Sequence, residues 1–246
     1  MSGHSKWATI KHKKGAADAR RAKIFAKIAR QIEVAAREGG GDASSNATLR
    51  TMVLKAKAAS MNNELIDRAI KRGTGQSDGG TYESITYEGY APGGVGLLID
   101  VLTDNRNRTG ADVRNVFAKL GGSMAEPGAV GWQFSRKGVI IATGGEDEVM
   151  MAALDAGADD VSADGDDWRV VCASSDVYEI RDALEAAGIT VVSAESTKVS
   201  STIIEVSDLD EARKILRIVD ALEDNDDVQD VYGNFDISEE LMEAVG

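Results

Sequence analysis

The chain is poor in the residues that staple or ligate. One cysteine among 246 residues, Cys172, excludes an intrachain disulfide and a thiolate zinc site, so no oxidised, secreted framework is expected. The two histidines, His4 and His12, both lie in the first dozen residues, away from any candidate base or nucleophile. Long apolar runs are missing as well. Val95 to Ile99 is among the longest, far short of the ~20 residues that cross a bilayer. Met1-Ser2-Gly3-His4-Ser5-Lys6 leads into lysines and not into an apolar segment, so a soluble, cytoplasmic chain is expected. What is present is enough apolar material, 43% of residues, to build cores for two or three small bodies.

Charge is abundant and unevenly placed. Residues 1–80 hold 16 Lys plus Arg against 7 Asp plus Glu, a net of +9, whereas residues 81–246 hold 12 against 34, a net of −22. Asymmetry of this size points to an interaction module and is more than solubility requires.

Periodicity divides the chain. Asp18 to Glu38 reads as a helix with Phe25, Ile28, Ala29, Ile32, Ala35 and Ala36 on one stripe and Arg20, Lys23, Lys27, Arg30 and Arg37 opposite, closed by Gly39-Gly40-Gly41. Asn46 and Asn62 are placed to cap two further helices, the last closed by Gly73, which makes residues 1–75 a basic helical domain. A Gly- and Ser-containing linker follows. Tyr82 to Tyr90 and Val95 to Thr103 then read as a hairpin about Pro92-Gly93-Gly94, Thr109 as the cap of a helix ending before Gly121, and Ser123 to Glu126 and Val130 to Phe134 as strands. From Val139 the order is strand, helix, strand, strand, helix, strand, the split βαβ layout of ferredoxin-like domains. Thr202 to Val206, a helix capped by Asp208 with Glu211, and a strand Val228 to Phe235 are too few to stand alone.

The expected fold is therefore α+β in three domains, a three-helix domain followed by two ferredoxin-like α/β domains, one inserted in the other. Residues 81–135 and 201–240 form the discontinuous host and 136–200 the insert.

Lys6, Trp7, Lys11, His12, Lys13, Lys14, Arg20, Lys23, Lys27 and Arg30 are the candidate nucleic-acid-binding residues: cations for phosphates and an indole for stacking on a base. The competing reading is a solvated basic tail anchored by Trp7. Arg106 and Arg108, at a strand-to-helix turn, form a secondary candidate anion site, or else pair with local carboxylates. Asp160, Ser162, Asp164 and Gly165 match the start of a calcium loop, but its twelfth position falls on Val171 where a bidentate glutamate is needed, so no metal or other cofactor is expected. With no strand-to-helix nucleophile elbow and no Gly-x4-Gly-Lys phosphate loop, an enzyme is not expected.

On these residues the chain resembles the YebC/PmpR family. Met1-Ser2-Gly3-His4-Ser5-Lys6-Trp7 with Ile10 to Lys14 is similar to that family's opening, and Ala69 to Gly75, Tyr87 to Gly94 and Thr103 to Thr109 are similar to its internal motifs. The resemblance implies three domains and a cytoplasmic role in transcriptional regulation through DNA binding, with some members acting in translation at the ribosome. Asn62 and Ala43 stand where the family usually has proline, and Gly110 where it has a larger residue. The partners implied are DNA, or ribosomal or transfer RNA, with proteins meeting the acidic α/β domains and no membrane.

Overall fold

The computed structural model describes residues 17–78 and 80–245, without the side chains at 17–20, 239 and 243. The helical body is built from α1 (Ala17–Gly39), α2 (Ala47–Ala58) and α3 (Asn63–Gly73). Its core is the stripe expected from the period, Ile28, Ile32, Ala35 and Ala36, closed by Leu49, Ala56, Met61, Ile66 and Ala69. One buried side chain sets the α1–α2 corner. Asn46 caps α2 by accepting from the Leu49 amide at 3.0 Å, while its own amide donates to the carbonyls of Ala35 at 2.8 Å and Gly40 at 2.9 Å. It thus satisfies orphan groups at the end of one helix and the start of the next. Gly73 lets α3 touch α1: a Cβ there would lie 2.3 Å from the Glu33 carbonyl oxygen.

The first sheet has the order β3-β1-β2-β9, formed by β1 (Glu83–Tyr90), β2 (Gly96–Thr103), β3 (Ser123–Ala125) and β9 (Val228–Gly233). Helices α4 (Arg106–Leu120) and α7 (Leu209–Glu223) supply Val113, Phe117, Ile215, Ile218, Val219 and Leu222 to a core shared with Leu97, Ile99 and Val101. A short parallel pair, β8 (Ile204–Val206) with β10 (Phe235–Ile237), and α8 (Glu239–Val245) complete this body. The second sheet, in the order β5-β6-β4-β7, is antiparallel throughout and uses β4 (Phe134–Thr143), β5 (Asp160–Asp164), β6 (Asp167–Cys172) and β7 (Thr190–Ser200). With α5 (Glu146–Asp155) and α6 (Val177–Ala186) on it, this is the split βαβ arrangement expected for the insert. We propose the division into 81–135 plus 201–240 around 136–200, although Phe134 and Ser135 already pair with Ser200 and Val199 in the second sheet.

Three local expectations differ from the structure. The cap of α4 is Asn105, whose side chain accepts from the Arg108 amide at 3.1 Å, and Thr109 lies buried inside the helix. Residues Gly131–Gln133 form a 3-10 turn in place of a strand. The buried carboxylate of Glu88 explains it, gathering the amides of Gly128, Val130 and Gly131 at 2.7, 2.5 and 2.8 Å and bending the chain out of a ladder. The last strand is broken at Asn234, whose side chain accepts from the Gly96 amide at 2.7 Å while its carbonyl accepts from the Ile204 amide at 2.8 Å, so that β10 joins β8. The helix α8 carries buried Met242 into the same core and is an element the periodicity reading omits.

Cys172 is buried in the core of the insert among Ile140, Val170, Val177 and Ile180. Burial, helped by Asp176 and Asp159, pushes its thiol up to about 11. In the native protein at pH 8 a thiol reagent should therefore modify it about 100-fold or more slowly than in urea, because the thiolate is the nucleophile. Equal rates in the two conditions would contradict this burial.

Candidate nucleic-acid interface

The basic side of α1 is generated by the same period as its apolar stripe. Residues three and four apart share a face, so Lys23, Lys27 and Arg30 project together once Ile28, Ile32, Ala35 and Ala36 turn inward. They face the protein's own acidic segment. Lys23 Nζ lies 3.3 Å from both the carbonyl oxygen and Oδ1 of Asp224. Lys27 Nζ donates to the Glu223 carbonyl at 2.8 Å. Arg30 Nη1 donates to the Asp226 carbonyl at 2.8 Å, the Leu102 carbonyl at 3.2 Å and Asp227 Oδ1 at 3.3 Å, and its guanidinium stands 5.0 Å from the centre of the Tyr82 ring. From α2, Lys55 adds an ion pair to Asp230 at 3.6 Å. Burial pulls the Lys27 amine below its ordinary value of 10.5, outweighing Glu223 and Asp230, which pull the other way.

Asp227 is the hub beneath this contact. Its carboxylate accepts from Thr109 Oγ1 at 2.7 Å, Thr103 Oγ1 at 3.2 Å, Arg108 Nη2 at 2.6 Å and Arg30 at 3.3 Å. The two threonine hydroxyls are themselves 2.7 Å apart. Burial alone would raise the Asp227 carboxyl, but the hydrogen bonds from Thr109, Arg108 and Thr103 and the Arg108 charge hold it below the ordinary 3.8. Arg30, Tyr82, Asp104, Arg108, Asp112 and residues 224–227 line an open cleft of about 420 Å³ beside the hub.

The expected site residues therefore divide. Lys6, Trp7, Lys11, His12, Lys13 and Lys14 lie outside the described residues, and Arg20 falls in the first turn of α1 with its side chain undescribed. Lys23, Lys27 and Arg30 are brought together, against the protein's own acidic segment. Of the two readings of Arg106 and Arg108, the geometry shows local pairing: Arg106 with Glu83 at 3.2 Å, and Arg108 with Asp104 at 2.8 Å and with Asp227. Arg21, Lys57 and Lys71 remain exposed on the helical body. Sequence reasoning omits Asp227, Thr103, Tyr82 and Lys55; the run Glu223-Asp224-Asn225-Asp226-Asp227 was the available clue, being an acidic turn between a helix and a buried strand. No three His, Cys, Asp or Glu residues are grouped to hold a metal ion among the described residues. Nor is any helix among them long and apolar enough to cross a membrane.

Comparison with known proteins covers almost the whole chain. Residues 5–76 match the model of the TACO1/YebC protein N-terminal domain, and residues 82–235 match that of the TACO1/YebC second and third domain. A probable transcriptional regulatory protein of Rubrobacter xylanophilus is 55% identical over 100% of this chain and 99% of its own length. One from Beutenbergia cavernae is 54% identical over 98% of each. Among solved structures, a conserved hypothetical protein from Aquifex aeolicus superposes with a TM-score of 0.81 at 41% identity, covering 95% of this chain and 98% of that one.

Proposed function

The chain belongs to the TACO1/YebC family, and from that premise we propose that it is a non-enzymatic regulator, acting in the cytoplasm, that binds DNA through the phosphate backbone. The carrying observation is the net +9 of residues 1–80 set against −22 in the remainder. A positive module on a negative chain orients the whole molecule toward a polyanion and repels it elsewhere. The contact residues in this reading are Lys6 to Lys14 with Trp7, and Arg20, together with Arg21, which is exposed on α1. The names of the relatives support regulation of transcription. Lysines contact phosphate as point charges without reading bases, so no sequence preference is assigned to this surface.

The same cations would serve a ribosome-associated factor on ribosomal or transfer RNA, which the presence of an indole, Trp7, among them favours, since unpaired RNA bases stack on aromatics. Competition decides between the two. A labelled duplex bound at 150 mM salt should resist displacement by an equal mass of folded transfer RNA or ribosomes. Displacement by RNA a hundredfold more readily than by unlabelled duplex would transfer the function to translation.

A further inference from the structure

Four cations of the helical body, Lys23, Lys27, Arg30 and Lys55, converge on one acidic segment, residues 223–230. That segment presents them with carbonyl oxygens of Glu223, Asp224 and Asp226 and carboxylates of Asp224, Asp227 and Asp230, a close series of anionic and polar oxygens. A phosphate backbone would offer the same cations the same kind of oxygen.

We propose that residues 223–230 are an internal competitor for nucleic acid, which holds the basic side of α1 and α2 shut until a polyanion displaces it. The inference rests on the nucleic-acid reading above and adds its regulation. Two features make the contact displaceable. The outer pairs are open to water, the side chains of Lys23 and Asp224 being 49% and 76% exposed and those of Lys55 and Asp230 40% and 36%, so salt screens them and each is weak; only Arg30 with Asp227 is largely buried. The contact is also polar: the apolar core of the helical body contains no residue of the host sheet, and that of the host contains none of the helical body. Separating the two bodies therefore opens neither core. A duplex gains on the exchange because it sheds condensed counterions for each phosphate neutralised, which a few protein carboxylates cannot match.

The test compares three full-length proteins on an unlabelled-competitor-free titration of a labelled duplex of about 20 base pairs at 100 mM salt. Wild type is set against a release pair, Asp224→Asn with Asp230→Asn, the carboxylates paired with Lys23 and Lys55. A charge control, Asp147→Asn with Asp155→Asn, makes the same change in net charge on α5 of the insert. The release pair should bind about four- to ninefold more tightly than wild type, at roughly a factor of two to three per carboxylate removed, and the control pair no more than about twofold. In wild type, adding duplex should speed amide hydrogen exchange at 224–227, a readout that needs no variant to fold. Equal gains in both pairs, unchanged or weaker binding by the release pair, or exchange unaffected by bound duplex would each overturn the competitor. If wild type binds neither duplex nor structured RNA at 50 mM salt, the nucleic-acid reading falls first and takes this one with it.

Discussion

Asp227→Ala should lower the unfolding free energy by about 3 kcal/mol, the largest loss expected from any single substitution at the contact between the helical body and the host sheet. The Asp227 side chain is 12% exposed and serves two threonine hydroxyls and two arginines. Its removal leaves Thr103 and Thr109 to each other, while Arg108 keeps Asp104 and Arg30 keeps two carbonyls, which is why the loss stays below that of a fully orphaned buried charge. Urea unfolding followed by tryptophan fluorescence measures it; a loss under 1 kcal/mol would show that the hub is dispensable. The pH dependence has a definite sign. The Asp227 carboxyl sits below its ordinary 3.8 in the folded state, and that of Glu88 below its ordinary 4.5, where three backbone amides prevail over burial. A depressed carboxyl contributes stability that is fully present above its unfolded value and is lost as pH falls through the folded one. Stability should therefore be flat near pH 6 and drop below about pH 4, and Asp227→Asn, which cannot titrate, should show a shallower drop.

Joint replacement of Lys11, Lys13 and Lys14 by glutamine should weaken duplex binding about 100-fold at 100 mM salt and reduce the slope of log affinity against log salt by about 2.7. Each phosphate contact contributes about 0.9 to that slope, and the loss is close to uniform across sequences because phosphates carry no base identity. Far-UV circular dichroism should stay unchanged, since the helical core draws its residues from Ile24 onward. An unaltered slope would remove these lysines from the interface. The same substitution at Lys23 and Lys27 should behave differently. Those amines are engaged with Asp224 and the Glu223 carbonyl, so changing them also loosens the helical body from the host.

Much of the architecture is legible locally. Asn46, Asn62 and Asp208 are caps in the sequence and caps in the structure, since an N-cap needs only its own side chain and the amide three residues on. The split βαβ order of the insert is equally legible, because strand and helix periods alternate cleanly from Val139 to Thr190. Less legible are the places where a distant group intervenes. Glu88 diverts residues 128–131 from a strand, and Asn234 breaks the last one, each through hydrogen bonds to chain 40 or more residues away.

The sequence alone determined most of the elements, the three-part organisation and the separation of positive from negative charge, because periodicity, caps and composition act over a few residues at a time. Only the tertiary structure decided where that positive charge is spent. Lys23 and Asp224 are 201 residues apart along the chain, and no local pattern records that α7 ends beside α1. Packing of the two cores brings them together, and Coulomb attraction at about 3 Å then closes a contact that composition shows only as two opposite totals.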